Sequence, residues 1–428
     1  MNKIQNITKE NLEALCERPK LQTASLEKIV NEIFEDVRLN GDAAVKKYSQ
    51  KFDGLQPEGA IEIDAETWSA GADEVPEELK SAIRQAKGNI EAFHRVQIKG
   101  KVSVETEDGV LCWQESRAIQ KVGLYIPGGT APLFSTVLML AVPAKLAGCE
   151  EIVLCTPPGK DGKIAAPILY AAQLAGVKRV MKVGGIQAIA ALTYGTESIP
   201  KVYKIFGPGN QYVTAAKKKA FAEGTAIDLP AGPSEVLVLA DESANPVFVA
   251  ADLLSQAEHG TDSQVVCVSD SEPFLVKVQE EVEKQLAVLP RADIASESLK
   301  HARFLFSESK EETINFINEY APEHFILASK DEAYYLENLK NAGSVFIGNY
   351  APESAGDYLS GTNHTLPTNG FARSFGSLGL DDFTKKISFQ RISREGLKNI
   401  GKSIELMARA EGLEAHAKAV ELRMKNEK

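Results

Sequence analysis

The period of apolar and polar positions changes twice along the chain. In the first stretch, Val30, Ile33, Phe34 and Val37 recur at helical spacing and Gly41 follows as a stop. Residues 77–96 read as a second long amphipathic helix. From Val122 the pattern becomes short apolar runs separated by helix-length segments. Runs at 122–126, 151–155, 179–183 and 202–206 form one series; those at 235–240, 264–268, 303–306, 324–328 and 344–347 form another. Near-continuous apolar strands alternating with helices predict parallel sheets covered on both faces. After Ser377 the helical period returns. Leu397, Ile400, Ile404 and Met407 make an apolar stripe, and Gly412 parts it from a last helical stretch at 413–424.

This pattern predicts an α/β protein of two Rossmann-like parallel-sheet domains, one discontinuous, with a small helical C-terminal tail. The predicted limits are an N-terminal helical segment at 1–20, a discontinuous domain at 21–124 and 234–377, a nucleotide-binding domain at 125–233, and the tail at 378–428. With 428 residues the chain exceeds what one core organises. The tail is too small to fold alone and must pack on something.

A net charge of −11 argues against nucleic acid or an anionic membrane as partner. No apolar stretch approaches the roughly 20 residues of a membrane span, and the first residues lack the basic and apolar runs of a signal peptide. The five cysteines (Cys16, Cys112, Cys149, Cys155, Cys267) are scattered and mostly sit in apolar segments. Reduced thiols of a cytoplasmic protein are therefore expected rather than a disulfide framework.

In parallel sheets ligands gather at the carboxyl ends of strands, beside helix N-termini. Three such ends are glycine-rich: Tyr125-Ile126-Pro127-Gly128-Gly129, Gly184-Gly185-Ile186-Gln187 and Gly207-Pro208-Gly209-Asn210-Gln211. Any one of them could be an ordinary strand–helix turn. Together they point to a nucleotide crevice, although no G-x-G-x-x-G follows a strand. The histidines narrow the chemistry. Asn245 and Pro246 start a helix on which Gln256 and His259 lie at i and i+3, a spacing suited either to one cation or to an interhelical hydrogen-bond pair. Pro322-Glu323-His324 puts an acid and an imidazole at the head of an apolar strand. Asp357 and His364 lie in a small-residue loop downstream, and Glu411 and His416 flank Gly412. A Gln, His, Asp and His set suits catalytic zinc, and also cobalt or manganese.

At these residues the sequence resembles the histidinol dehydrogenase family. The strings that carry the likeness are Val122-Gly-Leu-Tyr-Ile-Pro-Gly-Gly, Phe206-Gly-Pro-Gly-Asn-Gln-Tyr-Val, Pro230-Ala-Gly-Pro-Ser-Glu-Val, Gln256-Ala-Glu-His-Gly, Ala321-Pro-Glu-His and Ser360-Gly-Thr-Asn-His. The resemblance implies a cytoplasmic homodimer that oxidises L-histidinol through L-histidinaldehyde to L-histidine, using two NAD and one water, with one zinc ion per subunit. It implies Gln256, His259 and Asp357 as zinc ligands of one subunit, completed by His416 of the other. Tyr125, Gln187 and Asn210 fall at the NAD positions. Ser234 and Glu411 fall at substrate contacts, as do His324 and the four metal ligands, with His364 a weaker candidate. Glu323 and His324 match the acid–base pair. Three rivals remain at this level: an aldehyde dehydrogenase with a cysteine nucleophile (Cys112 or Cys149), a zinc dehydrogenase for another small polar alcohol, and a two-lobed binding protein without catalysis.

Overall fold

The computed structural model describes residues 3–18, 24–54, 59–128, 132–229 and 232–425. Gly129, Pro230 and Ala231, singled out above, lie outside the described residues, as do the predicted boundary positions 20 and 21.

Two parallel sheets organise the chain. A five-stranded sheet carries Lys121–Tyr125 at its centre, between Glu151–Thr156 and Lys204–Phe206, with Arg179–Lys182 and Ala226–Ile227 at its edges. A six-stranded sheet carries Glu235–Ala240 between Gln264–Ser269 and His324–Ala328, with Arg303–Phe306, Ser344–Ile347 and the short Gln5–Asn6 outside them. Both sheets are covered on two faces. Glu235–Ala240, Gln264–Ser269 and His324–Ala328 are buried at every position, which is why they read as unbroken apolar runs.

The first long helical region is kinked where the sequence places its stop. Ala24–Asp53 runs through Gly41, whose φ of 50° and ψ of −130° interrupt the helix. Pro246–Ala257 starts as expected, with the Asn245 side chain accepting the Val247 N–H and Pro246 in the first turn.

Three differences from the sequence reading matter. First, that reading groups 21–124 with 234–377, but the helices Ala24–Asp53, Ala65–Asp73 and Glu77–Arg95 pack on the helices that cover the five-stranded sheet. Their apolar stripes announce that they must be buried, not on which sheet. Second, residues 1–20 are not wholly helical, because Gln5–Asn6 adds an edge strand beside Arg303–Phe306. Third, the tail does not return directly to helix. Thr384–Ile392 pairs antiparallel with Val110–Ala118, which also pairs with Val102–Glu107, making a three-stranded sheet. Helices Arg394–Ala410 and Glu414–Lys425 follow and pack on each other, parted at Gly412 with φ 75°. Leu406 and Met407 there remain 73% and 66% exposed. No helix among the described residues is long and apolar enough to cross a membrane.

Candidate active site

An open cleft of ≈ 710 Å³ runs between the two sheets. One wall is the carboxyl edge of the five-stranded sheet, where Pro127 and Gly128 follow one strand and Gly207 to Gln211 follow another. The other wall is the amino edge of the six-stranded sheet, where Ser234, Ser263 and Glu323 each precede a strand and His324 begins one. His259, Asp357 and His364 close it from the helix ends and loops.

The glycine-rich wall is shaped by close packing. Gly207 has φ 122°, and a Cβ there would stand 2.0 Å from the Tyr125 carbonyl oxygen, so only glycine lets the two strand ends approach. Asn210 caps helix Gln211–Ala222, accepting the N–H groups of Tyr212 and Val213. Asn210 lines the cleft. Tyr125 and Gln187 do not: both are buried, with the Tyr125 hydroxyl accepting the Gly185 N–H at 3.2 Å and the Gln187 amide donating to Asp53 at 3.4 Å. The structure thus brings all three near one turn cluster but exposes only Asn210.

His324 is the best-defined group of the site. Its Nδ1 lies 3.0 Å from the backbone carbonyl of Glu235. A carbonyl only accepts, so Nδ1 carries the proton and Nε2 the lone pair. That Nε2 is buried without a hydrogen-bond partner, 4.0 Å from an Asp357 oxygen. Burial pushes the imidazole pKa down to about 4, against a favourable charge from Asp357, so the ring is neutral at ordinary pH. Glu323 accepts the Glu235 N–H at 2.8 Å. Burial holds its carboxyl well above the usual carboxylate range, and the charges of Glu235 and Asp357 add to the effect. The turn that presents the pair uses Ala321 at φ 51° and needs glycine at position 343, where a Cβ would meet the Glu323 carbonyl at 2.5 Å.

Around this pair lie the candidate ligands. The Gln256 amide nitrogen stands 3.2 Å from His259 Nδ1, just past the end of the helix that carries Gln256. Gln256 Oε1 is buried and has no partner. Asp357 lies 3.8 Å from His364 Nδ1. Both His364 nitrogens are occupied, Nδ1 donating to the Asp357 carbonyl and Nε2 accepting from the Thr136 hydroxyl, which leaves that ring little capacity for a ligand. Glu411 and His416 are not brought to the cleft. They sit exposed in the tail, whose second helix packs on the first. Among the described residues no three His, Cys, Asp or Glu side chains are grouped to hold a metal. Of the expected ligands of those types, His259 and Asp357 line the cleft and His416 does not.

Sequence reasoning missed two carboxylates here. Glu353 is 1% exposed, with Oε1 3.7 Å from His324 Nδ1 and Oε2 without a partner. Its i, i+4 spacing from Asp357 was the available signal. Glu235, a lone acid heading the apolar run Glu235–Ala240, holds both Glu323 and His324 through its backbone.

No cysteine lines the cleft among the described residues. Burial pushes the Cys149 thiol up to about 12, and its sulfur faces the Phe383 carbonyl. A nucleophilic thiolate would need the opposite shift.

The family model for histidinol dehydrogenase matches residues 16–424. The chain is 55% identical to the histidinol dehydrogenase of Bacteroides thetaiotaomicron over 99% of both chains. It is 50% identical to that of Mannheimia succiniciproducens over 98% of this chain and 97% of the other. The crystal structure of histidinol dehydrogenase from Elizabethkingia anophelis superposes with a TM-score of 0.96 at 52% identity, covering 99% of this chain and 98% of that one. With a parallel-sheet cleft that presents a neutral histidine beside a buried glutamate, and relatives alike from end to end, this chain belongs to the histidinol dehydrogenase family.

Proposed function

We propose that the protein oxidises L-histidinol to L-histidine in two NAD-dependent steps, with His324 as the base of both oxidations and Glu323 as the base that activates water between them. The observation that carries the reading is the state of His324. Its proton is held on Nδ1 by a backbone carbonyl, which leaves the buried Nε2 bare, and the residue lines the cleft. An alcohol gives up hydride only as its hydroxyl proton leaves, so a neutral imidazole beside the hydroxyl supplies the required acceptor. Nε2 takes that proton as the carbon loses its hydride, for which NAD would be the acceptor, and then passes the proton to solvent, leaving the aldehyde and a neutral ring. The second oxidation needs the hydrated aldehyde. Glu323 in its ionised form takes a proton from water as the oxygen bonds to the carbonyl carbon and returns it to the new alkoxide, giving the hydrate; its raised carboxyl makes it a stronger base than an ordinary carboxylate. His324 then takes the proton of the hydrate as the second hydride leaves. Across both steps two NAD and one water are consumed.

The glycine-rich wall with Asn210 is suited to the dinucleotide, because glycines let a phosphate approach the backbone closely and the N-terminus of helix Gln211–Ala222 favours negative charge. Asn210→Ala is expected to raise the KM for NAD several-fold while zinc content stays constant. A rise confined to the KM for histidinol would place the dinucleotide elsewhere.

Gln256, His259 and Asp357 would hold a zinc ion, with His416 of a second subunit as fourth ligand. The fit rests on the orphaned Gln256 oxygen beside His259, and on a thiolate-free oxygen and nitrogen donor set. Bound there, zinc would supply a fixed anchor for the amine and imidazole of the substrate. Ser234 and Glu411 are the remaining substrate contacts in this reading. An acid at 411 favours an amine over an anionic alcohol such as a sulfonate. His259→Asn is expected to purify folded but metal-poor, as read by elemental analysis, and chelation of the native protein should abolish turnover. Full metal occupancy in that variant would remove His259 from the ligand set.

The test of the function is direct: purified protein with L-histidinol and NAD, followed by NADH absorbance. Two NADH per histidinol support the four-electron reaction; none refutes it.

A further inference from the structure

Behind the acid–base pair lies a buried ion pair with no part in the scheme above. Glu235 is 2% exposed, and its carboxylate accepts two hydrogen bonds from Arg18, at 2.8 Å from Nε and 2.7 Å from Nη2. The same Arg18 Nη2 donates to the Tyr320 carbonyl at 2.6 Å, and the guanidinium lies 4.0 Å over the Tyr320 ring. Nη1 reaches the Cys16 carbonyl at 3.4 Å. Tyr320 is fixed in turn by its hydroxyl, which donates to Gln264 at 3.0 Å. The Glu235 carboxylate also accepts the N–H of Asn369, a residue held at φ 55°, next to Thr368 of the cleft wall. The two side chains together therefore tie the N-terminal segment, the helix end that leads into Glu323, and the loop that lines the cleft.

The backbone of the same residue makes the connection to chemistry. Glu235 N–H bonds the Glu323 carboxylate, and Glu235 C=O takes the His324 Nδ1 proton. The N–H lies in the 234–235 peptide and the carbonyl in the 235–236 peptide, and both planes meet at the Cα that carries the paired side chain, so a shift of that Cα disturbs both contacts. A planar, two-pronged guanidinium–carboxylate pair resists such a shift far better than a single contact does.

Resting on the reading of Glu323 and His324 as the acid–base pair, we propose that Arg18 and Glu235 are positioning residues. Their ion pair locks the peptide groups that fix the His324 tautomer and the aim of the Glu323 carboxylate. Neither residue touches substrate. Outer partners that orient a functional imidazole change activity by about 10–100-fold when altered. A pair that merely anchored the N-terminal segment would change thermal stability and leave His324 as it was.

The experiment uses the full-length protein as Arg18→Lys and Glu235→Gln, with wild type and His324→Ala as references. Arg18→Lys keeps the charge but loses the fork; Glu235→Gln keeps the shape but loses the charge. Three readouts are taken: the thermal midpoint, kcat and KM for histidinol and NAD, and the ring N–H resonances of protein labelled with ¹⁵N-histidine. The chain has six histidines, and the His324 signal is the one missing in His324→Ala. The expected result for Glu235→Gln is a kcat lower by about 10–100-fold with the KM for NAD unchanged. The His324 Nδ1–H resonance should be displaced or lost to exchange. Arg18→Lys should fall between that variant and wild type. Folded variants with wild-type kcat, or with a reduced kcat but an unmoved His324 resonance, overturn the proposal. If Glu235→Gln does not fold, Arg18→Lys decides by the same readouts. A wild-type protein that does not oxidise histidinol, or a fully active His324→Ala, would instead reject the functional reading, while the resonance still reports whether the ion pair holds the ring.

Discussion

Replacing His324 with alanine is expected to slow both oxidations by roughly 10²–10⁴-fold, the range a general base supplies. The loss should be equal in the two halves, assayed separately from histidinol and from histidinaldehyde, because the same Nε2 takes a proton in each. Glu323→Gln should behave differently. The amide keeps the size of the side chain and can still accept the Glu235 N–H, but it cannot take a proton from water. Oxidation of the aldehyde should therefore fall much further than oxidation of the alcohol. Zinc content should be unchanged in both variants, since neither residue is among the proposed ligands. Equal losses in the two halves for Glu323→Gln would end the division of labour and leave His324 to serve both water and alcohol.

The second large effect is complementation between two inactive proteins. His324→Ala carries its lesion in the cleft, and His416→Ala carries its lesion in the tail. In the chain itself His416 is exposed on Glu414–Lys425, a helix that packs on Arg394–Ala410 and not on the cleft. The exposed Leu406, Met407 and Leu422 on these helices, with Leu413 at their junction, are the kind of surface that a second copy buries. If the tail completes the site of a partner, mixing the two variants under conditions that exchange subunits restores one intact site per heterodimer. That site combines an unaltered cleft from one chain with an unaltered tail from the other. Activity then rises from near zero to roughly a quarter of the wild-type level for random pairing, where half the dimers are mixed and each has one working site of two. Subunit exchange demonstrated by mass without recovered activity would show that each chain completes its own site. The same arrangement makes zinc occupancy depend on protein concentration, because a ligand given in trans links metal affinity to association.

The nine strands read from the sequence are all present, within a residue or two of their expected limits. In the central ones, buried at nearly every position, few polar residues break the apolar run, so burial is written directly into composition. The strands that escaped reading lack that property. Val102–Glu107 is exposed at every position, and Thr384–Ile392 finds its partner more than 260 residues away, at Val110–Ala118. Nothing local distinguishes such segments from loops or helices.

Individual chemistry was legible too: the Gln256–His259 pair at a helix end and the Glu323–His324 pair at a strand head stand where their spacing put them. Which edge of each sheet would face the other was not legible. Carboxyl ends are the expected ligand sites of parallel sheets, and the five-stranded sheet obeys, yet the six-stranded sheet presents its amino ends. That choice is made by how the two sheets pack, through contacts between residues far apart in the chain. The same packing decided that helices 24–95 cover the five-stranded sheet, that Tyr125 and Gln187 sit beneath the cleft wall rather than on it, and that Arg18 meets Glu235 across 217 positions of sequence. Periodicity and composition state that a side chain must be buried or paired. Only the tertiary structure supplies the partner, because burial is non-directional whereas hydrogen bonds and ion pairs have fixed geometry.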